Sequence, residues 1–182
     1  MHIIIKFLMK LFMLSLIGAA GYFGYTEYFK DERVLLRKTE ALLDCFQKDS
    51  TESFGSAIDT AELSSLLDDD IFFKVDATDF PFAKFIKEEA DKNKVLSFHK
   101  TMSGTRYTTV LEKRAINVIK VVPAKDGTVE GEEKTPAKAK VSASFFFRKE
   151  EGNHGNIHSD INCDFLFIKK GRSWKVAYIL FK

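Results

Sequence analysis

The chain is poor in the residues that staple, break or arm a fold. Two cysteines in 182 residues exclude a disulfide-rich scaffold, and Cys45 and Cys163 belong to neither a CxxC pair nor a Cys/His cluster. They form either one bridge in an oxidising compartment or two buried thiols, and their apolar-face positions favour thiols. Only three prolines occur, and neither Pro nor Gly lies between Tyr25 and Phe54, so nothing in that interval stops a helix. There is no G-x-G-x-x-G, no P-loop and no serine in a nucleophile elbow. No internal repeat is present. Acid is missing before Glu27. Lys and Arg number 28 and Asp and Glu 26. Setting aside Lys6 and Lys10 leaves a balanced remainder, without the net basic footprint of general nucleic-acid binders. These absences point away from a cofactor, a metal and a nucleic-acid partner.

What is present begins with an apolar run. Leu11–Tyr25 carries no charge, and Ile3–Ile5 and Phe7–Met9 extend it upstream past Lys6 and Lys10. Fifteen uncharged residues fall short of the roughly 20 a span needs, and snorkelling lysines would lengthen it. Tyr22, Tyr25, Tyr28 and Phe29 suit an interfacial aromatic belt. Positive charge before the run and mixed charge after it put the N-terminus inside and residues 30–182 across the membrane. The expected layout is a signal anchor over 1–29, contacting the membrane through residues 3–25, followed by one domain over 30–182. The alternative is cleavage after the small residues Gly18-Ala19-Ala20, releasing a secreted domain.

Lys30–Lys48 predicts a helix with Leu35, Leu42, Cys45 and Phe46 on one stripe. A short helix follows near Ala61–Leu67, with Asp59 or Thr60 as its N-cap, ended by Asp68-Asp69-Asp70. Ile71–Val75 predicts a strand, and Asp79–Asn93 a third helix with Phe82, Phe85, Ile86 and Ala90 inward. From Lys94 the expectation is all β. Val95–Lys100 is a strand and Met102-Ser103-Gly104 a turn. Thr105–Val122 is one long strand, or two separated by a bulge near Glu112-Lys113-Arg114, because the apolar phase is imperfect there. Pro123–Lys140 and Glu150–His158 are polar loops. Val141, Ala143, Phe145 and Phe147 alternate on a strand. The last hairpin sets Ile161, Cys163, Phe165 and Phe167 on one face, turns at Lys169-Lys170-Gly171-Arg172, and returns with Trp174, Val176, Tyr178 and Leu180 in phase. Helices first and antiparallel strands last make the class α+β: an N-terminal transmembrane helix, then about three helices on a curved antiparallel sheet of four to six strands.

This order, with the closing strands Asp164–Lys169 and Ser173–Phe181, the basic turn at Gly171 and Trp174-Lys175-Val176, resembles the nuclear-transport-factor-two-like superfamily. That is the cone-shaped fold shared with ketosteroid isomerase. The resemblance covers Lys30–Lys182 and implies the fold; the superfamily holds enzymes and binding modules alike. A membrane helix ahead of such a domain is similar in architecture to the bitopic inner-membrane assembly protein of type IV secretion systems. The Asn-Pro-x-Gly turn of that family has no counterpart, since none of Pro81, Pro123 and Pro136 follows an Asn. Only the architecture is carried over.

Candidate chemistry is sparse. His99, Tyr107 and Trp174 are the side chains that would line a cone cavity, where an isomerase-like site needs an acid, a base and a donor. Asp68–Asp70 reads as a solvated loop near the cone mouth. His154 and His158, even with Asp160 and Asp164, lack metal-site spacing. Arg106, Lys113, Arg114 and Lys120 make a basic stripe that Glu112 interrupts. Phe146, Leu166, Ile168, Ile179 and Phe181 fall on the face opposite the expected core and would form an exposed apolar patch, a partner or homodimer interface. The functional expectation is a non-enzymatic binding or assembly domain, periplasmic and anchored in the inner (cytoplasmic) membrane, that docks a protein or dimerises through its sheet. The alternative is a small-ligand binder or isomerase-like enzyme using the cone cavity.

Overall fold

The computed structural model describes residues 13, 15–18, 21–22, 30–47, 55–76, 89–103, 108–125, 135–150 and 156–182. Most of the 3–25 segment, most of the expected helix at Asp79–Asn93, Arg106, Tyr107 and His154 lie outside them. The chain divides into two units, Met1–Val34 and Leu35–Lys182. In the first, residues 13, 15–18 and 21–22 are helical, and Met13, Leu16, Ile17 and Tyr22 are exposed. Among the described residues no helix is long and apolar enough to cross a membrane.

Among the described residues three helices and five strands follow: α1 (Asp31–Cys45), α2 (Gly55–Leu66), β1 (Leu67–Val75), α3 (Lys92–Ser103), β2 (Thr108–Val122), β3 (Lys138–Glu150), β4 (Asn156–Lys170) and β5 (Ser173–Phe181). The strands make one sheet in the order β1-β5-β4-β3-β2. β2 through β5 pair antiparallel, but β1 runs parallel to β5. The sheet is therefore mixed rather than antiparallel. β1 joins at the edge beside the last strand rather than beside its neighbour in sequence, so no tight turn forces the two to run in opposite directions.

α1 buries Leu35, Leu42 and Cys45 of the predicted stripe, with Phe46 buried just past its end, and Thr39 and Leu43 widen it. β3 and β4 keep strict alternation. Val141 pairs Phe165, Ala143 pairs Cys163 and Phe145 pairs Ile161, and all six are buried. Large pairs thus flank the small pair Ala143 and Cys163 along the ladder. The β4–β5 turn places Gly171 at φ 61°, where any Cβ is strained. The expected bulge in β2 is present: the register slips between Glu112 and Ala115, and Lys113 takes φ 51°.

Four expectations are corrected. Val95–Lys100 lies in a helix, not a strand, and the helix continues through the expected turn to Ser103. The Asp91 carboxylate accepts the Lys94 amide at 2.8 Å and its carbonyl accepts the Val95 amide at 3.0 Å, a side-chain cap that starts the helix. Val95 and His99, four apart, are its buried face. Thr60 is inside α2, which begins at Gly55, and so does not cap it. Asp68–Asp70 belong to β1, where the register slips between Leu67 and Phe72. Finally, β5 changes phase. Phe167 pairs Val176 while Leu166 pairs Tyr178, so Ala177 is an extra residue. Trp174 and Val176 are buried before it, Ile179 (0% exposed) and Phe181 (1%) after it. These last two are core side chains, not surface, and Tyr178 and Leu180 take the other face.

The helix-facing side is filled by aromatics. Phe73, Phe147, Phe165, Phe167, Phe181 and Trp174 are all fully buried. The Phe181 ring stands 5.5 Å from Phe73, 6.1 Å from Phe46 and 6.4 Å from Phe145. Each such side chain contributes about 1.5–3 kcal/mol through removal from water.

Candidate functional site

Of the expected cavity residues, Tyr107 lies outside the described ones, and His99 and Trp174 are both buried. His99 projects from α3 and ties three helices together. Its Nε2 lies 2.7 Å from the Cys45 carbonyl oxygen at the end of α1, and its Nδ1 lies 2.9 Å from the Thr60 hydroxyl on α2. A carbonyl only accepts, so Nε2 carries the hydrogen and Nδ1 accepts from Thr60. Trp174 is buried in β5 under the Lys169 ammonium, 5.4 Å from its ring centre.

The basic stripe resolves into a clamp. Arg114 bonds Asp44 of α1 at 2.5 Å and the Leu111 carbonyl at 3.1 Å. Gln47 accepts the Leu111 amide at 3.1 Å, and the Thr109 hydroxyl donates to the Phe46 carbonyl at 3.0 Å. The end of α1 is thereby fastened to the first half of β2. An open groove of about 320 Å³, lined by Leu36, Glu40, Asp44, Arg114 and Ile116, lies alongside.

Asp69 and Asp70 are exposed as the loop reading expects, but Asp68 is buried. Its Oδ1 accepts from the Lys170 ammonium at 2.8 Å and the Asp70 amide at 3.0 Å, while its buried Oδ2 has no hydrogen-bond partner among the described residues. Burial alone would raise this carboxyl. The Lys170 hydrogen bond and the Asp70 amide outweigh burial and hold it below its ordinary value. Asp69 pairs Lys92 at 2.8 Å. Among the described residues no three His, Cys, Asp or Glu side chains gather as metal ligands would. Cys45 and Cys163 are buried thiols.

The sheet face turned away from the aromatic core has a different character. One row runs Lys120, Lys140, Leu166, Tyr178, Phe72 across all five strands, and the next runs Asn117, Ser142, Asp164, Leu180, Lys74. Phe72 is 40% exposed and stacks on Tyr178 at 5.9 Å and 15°. Leu166, Ile168, Tyr178 and Leu180 are half-buried. Asp164 crosses this face between Lys182 at 2.7 Å and Lys140 at 3.5 Å. The Lys182 hydrogen bond holds its carboxyl low. Phe146, also half-buried, forms a second apolar spot. His158 is 5.9 Å from it, Lys113 lies over its ring at 5.7 Å, and Glu112 pairs Arg148 at 3.0 Å nearby. Of the five expected interface residues, Phe146, Leu166 and Ile168 lie on this face. Phe72 and Tyr178 belong to it as well. Spacing alone hides both, because Phe72 sits in a short run and Tyr178 follows the Ala177 bulge.

No protein-family model matches the chain. No curated protein matches it. Solved structures do. A putative aromatic ring hydroxylase from Novosphingobium aromaticivorans is similar at TM-score 0.52 and 10% identity, over 84% of this chain and 87% of that one. An NTF2-like protein from Cytophaga hutchinsonii aligns at TM-score 0.49 and 14% identity, over 84% and 98%. A ketosteroid isomerase-like protein from Erwinia carotovora atroseptica aligns at TM-score 0.48 and 13% identity, over 84% and 95%. The structural neighbours are thus NTF2-like and ketosteroid-isomerase-like proteins. At these identities the likeness is one of fold alone.

Proposed function

We propose that this chain is a non-enzymatic binding or assembly domain, held at the inner (cytoplasmic) membrane by its N-terminal segment, that docks a protein partner or dimerises through the outer face of its sheet. The observation that carries this is the part-exposed row Phe72, Tyr178 and Leu166 on a sheet whose other side is already packed with fully buried aromatics. Apolar side chains left on one face of a filled sheet are a surface for another molecule. The packed aromatic side counts against an enzyme working in a cone cavity.

The uncharged run Leu11–Tyr25 and the exposed helical Met13, Leu16 and Ile17 support the anchor, with the domain extracytoplasmic by the charge pattern. The architecture resembles that of secretion-system assembly proteins. A photo-crosslinker at Phe72 in the membrane-embedded full chain is expected to trap a homodimer or a defined partner, and Leu166→Glu to abolish the product. Trapping of monomer alone, with no co-purifying protein, sinks the proposal. The N-terminal residue of the mature protein tests the anchor: Met1 supports it, and a start at Gly21 shows cleavage.

A further inference from the structure

We infer a second, separate contact: the outer edge of β2 from Ala115 to Val122 pairs with the same edge of a second copy of this chain. The two ends of the sheet are treated differently. At one end β1 is bridged by Ala90, which exchanges two backbone hydrogen bonds with Phe73 at 3.1 and 2.9 Å. At the other end the hydrogen bonds that fasten the end of α1 to β2 run, among the described residues, only as far as Arg114, through Thr109, Leu111 and Arg114 itself, and Ile116 beyond it lines the open groove with Leu36 and Glu40. Beyond that point the strand pairs β3 on one side, and no other hydrogen bond among the described residues reaches Ala115–Val122. The stretch reads Ala-Ile-Asn-Val-Ile-Lys-Val-Val, with one charge and five β-branched residues. Ile119 is 56% exposed and Val122 40%. An apolar edge without a strand partner among the described residues is a template for another strand.

The sequence of the edge selects a second copy. Ile116 and Val121 face the core side, opposite Ala143 and Ala139, both buried. Ala115, Asn117, Lys120 and Val122 face the outer side, opposite Ser144, Ser142, Lys140 and Lys138. The change of phase comes from Ile119, the extra residue between Val118 and Lys120. Placing a two-fold axis between Val118 and Ile119 sets Ala115 against the partner's Val122, Ile116 against the partner's Val121, Asn117 against the partner's Lys120 and Val118 against the partner's Ile119. In the three flanking pairs core-side residues then meet core-side residues, and outer meet outer, as antiparallel neighbours must, while Val118, opposite the buried Val141, and the exposed extra residue Ile119 meet at the axis. The two lysines face asparagines instead of each other, which removes the like-charge penalty. An unbulged strand could not meet itself about an axis between two residues, because the faces would fall out of phase. The bulge thus makes this edge self-complementary.

The test uses the full chain in detergent. Opposed residues in an antiparallel pair have Cα atoms about 5 Å apart, within disulfide reach. The double variant Asn117→Cys/Lys120→Cys, oxidised with diamide, is expected to give a covalent dimer that neither single variant gives. The native Cys45 and Cys163 are buried and do not compete. Equal dimer from the singles and the double, or none from any, overturns the pairing. On the unmodified chain, raising protein concentration should slow amide exchange across Ala115–Val122 by about tenfold or more, and unchanged exchange also overturns it. Leu166→Glu should leave this dimer intact, so loss of the outer-face contact and loss of the edge contact are separate results.

Discussion

Truncating Phe181 tests the phase change in β5 directly. A bulge-free β5 would put Phe181 on the outer face, where Phe→Ala changes stability by about 0.5 kcal/mol or less. The structure puts it at 1% exposure, with its ring against Phe73, Phe46 and Phe145. Phe181→Ala there removes a fully buried ring and opens a cavity that β5 and α1 cannot close together. The expected cost is about 3–5 kcal/mol, a large part of the roughly 5–15 kcal/mol of a typical domain. Phe72→Ala is the control: it loses a stacked but 40% exposed ring and should cost about 1 kcal/mol or less. Urea unfolding of the full chain can be followed by the fluorescence of Trp174, the only tryptophan, which is buried in the perturbed strand itself. The midpoint should fall with the slope unchanged. If Phe181→Ala costs no more than Phe72→Ala, the bulge at Ala177 and the assignment of the two sheet faces are both wrong.

Other consequences follow from single contacts. Lys170→Met leaves the buried Asp68 carboxylate without its ammonium and should lower the Tm at neutral pH. The Asp68 carboxyl is held low in the fold, so its stabilisation is present above its unfolded value near pH 4 and is lost as pH falls through the folded value. The Tm deficit of Lys170→Met should therefore shrink on acidification, and a pH-independent deficit refutes the pairing. Burial pushes the Cys163 thiol up, with Asp164 adding to it, and Cys45 is buried too. Ellman's reagent should find no fast thiol in the native chain and two in denaturant. Gly171→Ala places a Cβ at φ 61° in open space, so it should cost about 1 kcal/mol from backbone strain alone. Lys113→Gly, at φ 51°, should cost nothing or stabilise; a comparable loss there argues against the bulge.

The sequence was most legible where one periodicity ran unbroken. The α1 stripe and the inward faces of β3 and β4 stand in the chain as written, because each is a single run with polar residues between the apolar ones. The β2 bulge was legible as a failure of phase at Glu112-Lys113-Arg114. Legibility ended where both phases are apolar: in Val176-Ala177-Tyr178-Ile179-Leu180-Phe181 nothing in the pattern marks the slip, so the outer surface was assigned Ile179 and Phe181 in place of Tyr178. Val95–His99 fits a strand's alternation as well as a helix's spacing. The Asp91 cap that decides for the helix was lost inside an expected earlier helix. The parallel pairing of β1 with β5 is a long-range choice that no local pattern records.

That pairing also sets an order of events. Leu67 and Phe72 find their partners in Val176 and Tyr178, residues a ribosome delivers only after every other strand of the sheet has emerged. Until then β1 has no strand of the sheet to lie against, and Phe72 and Phe73 are carried on a nascent segment whose backbone pairs only Ala90, at Phe73, among the described residues. A chain built this way completes its sheet late, and if it is threaded across a bilayer as it is made, its early aromatic strand reaches the far side before its partner. Such an intermediate is a natural client for a holding chaperone.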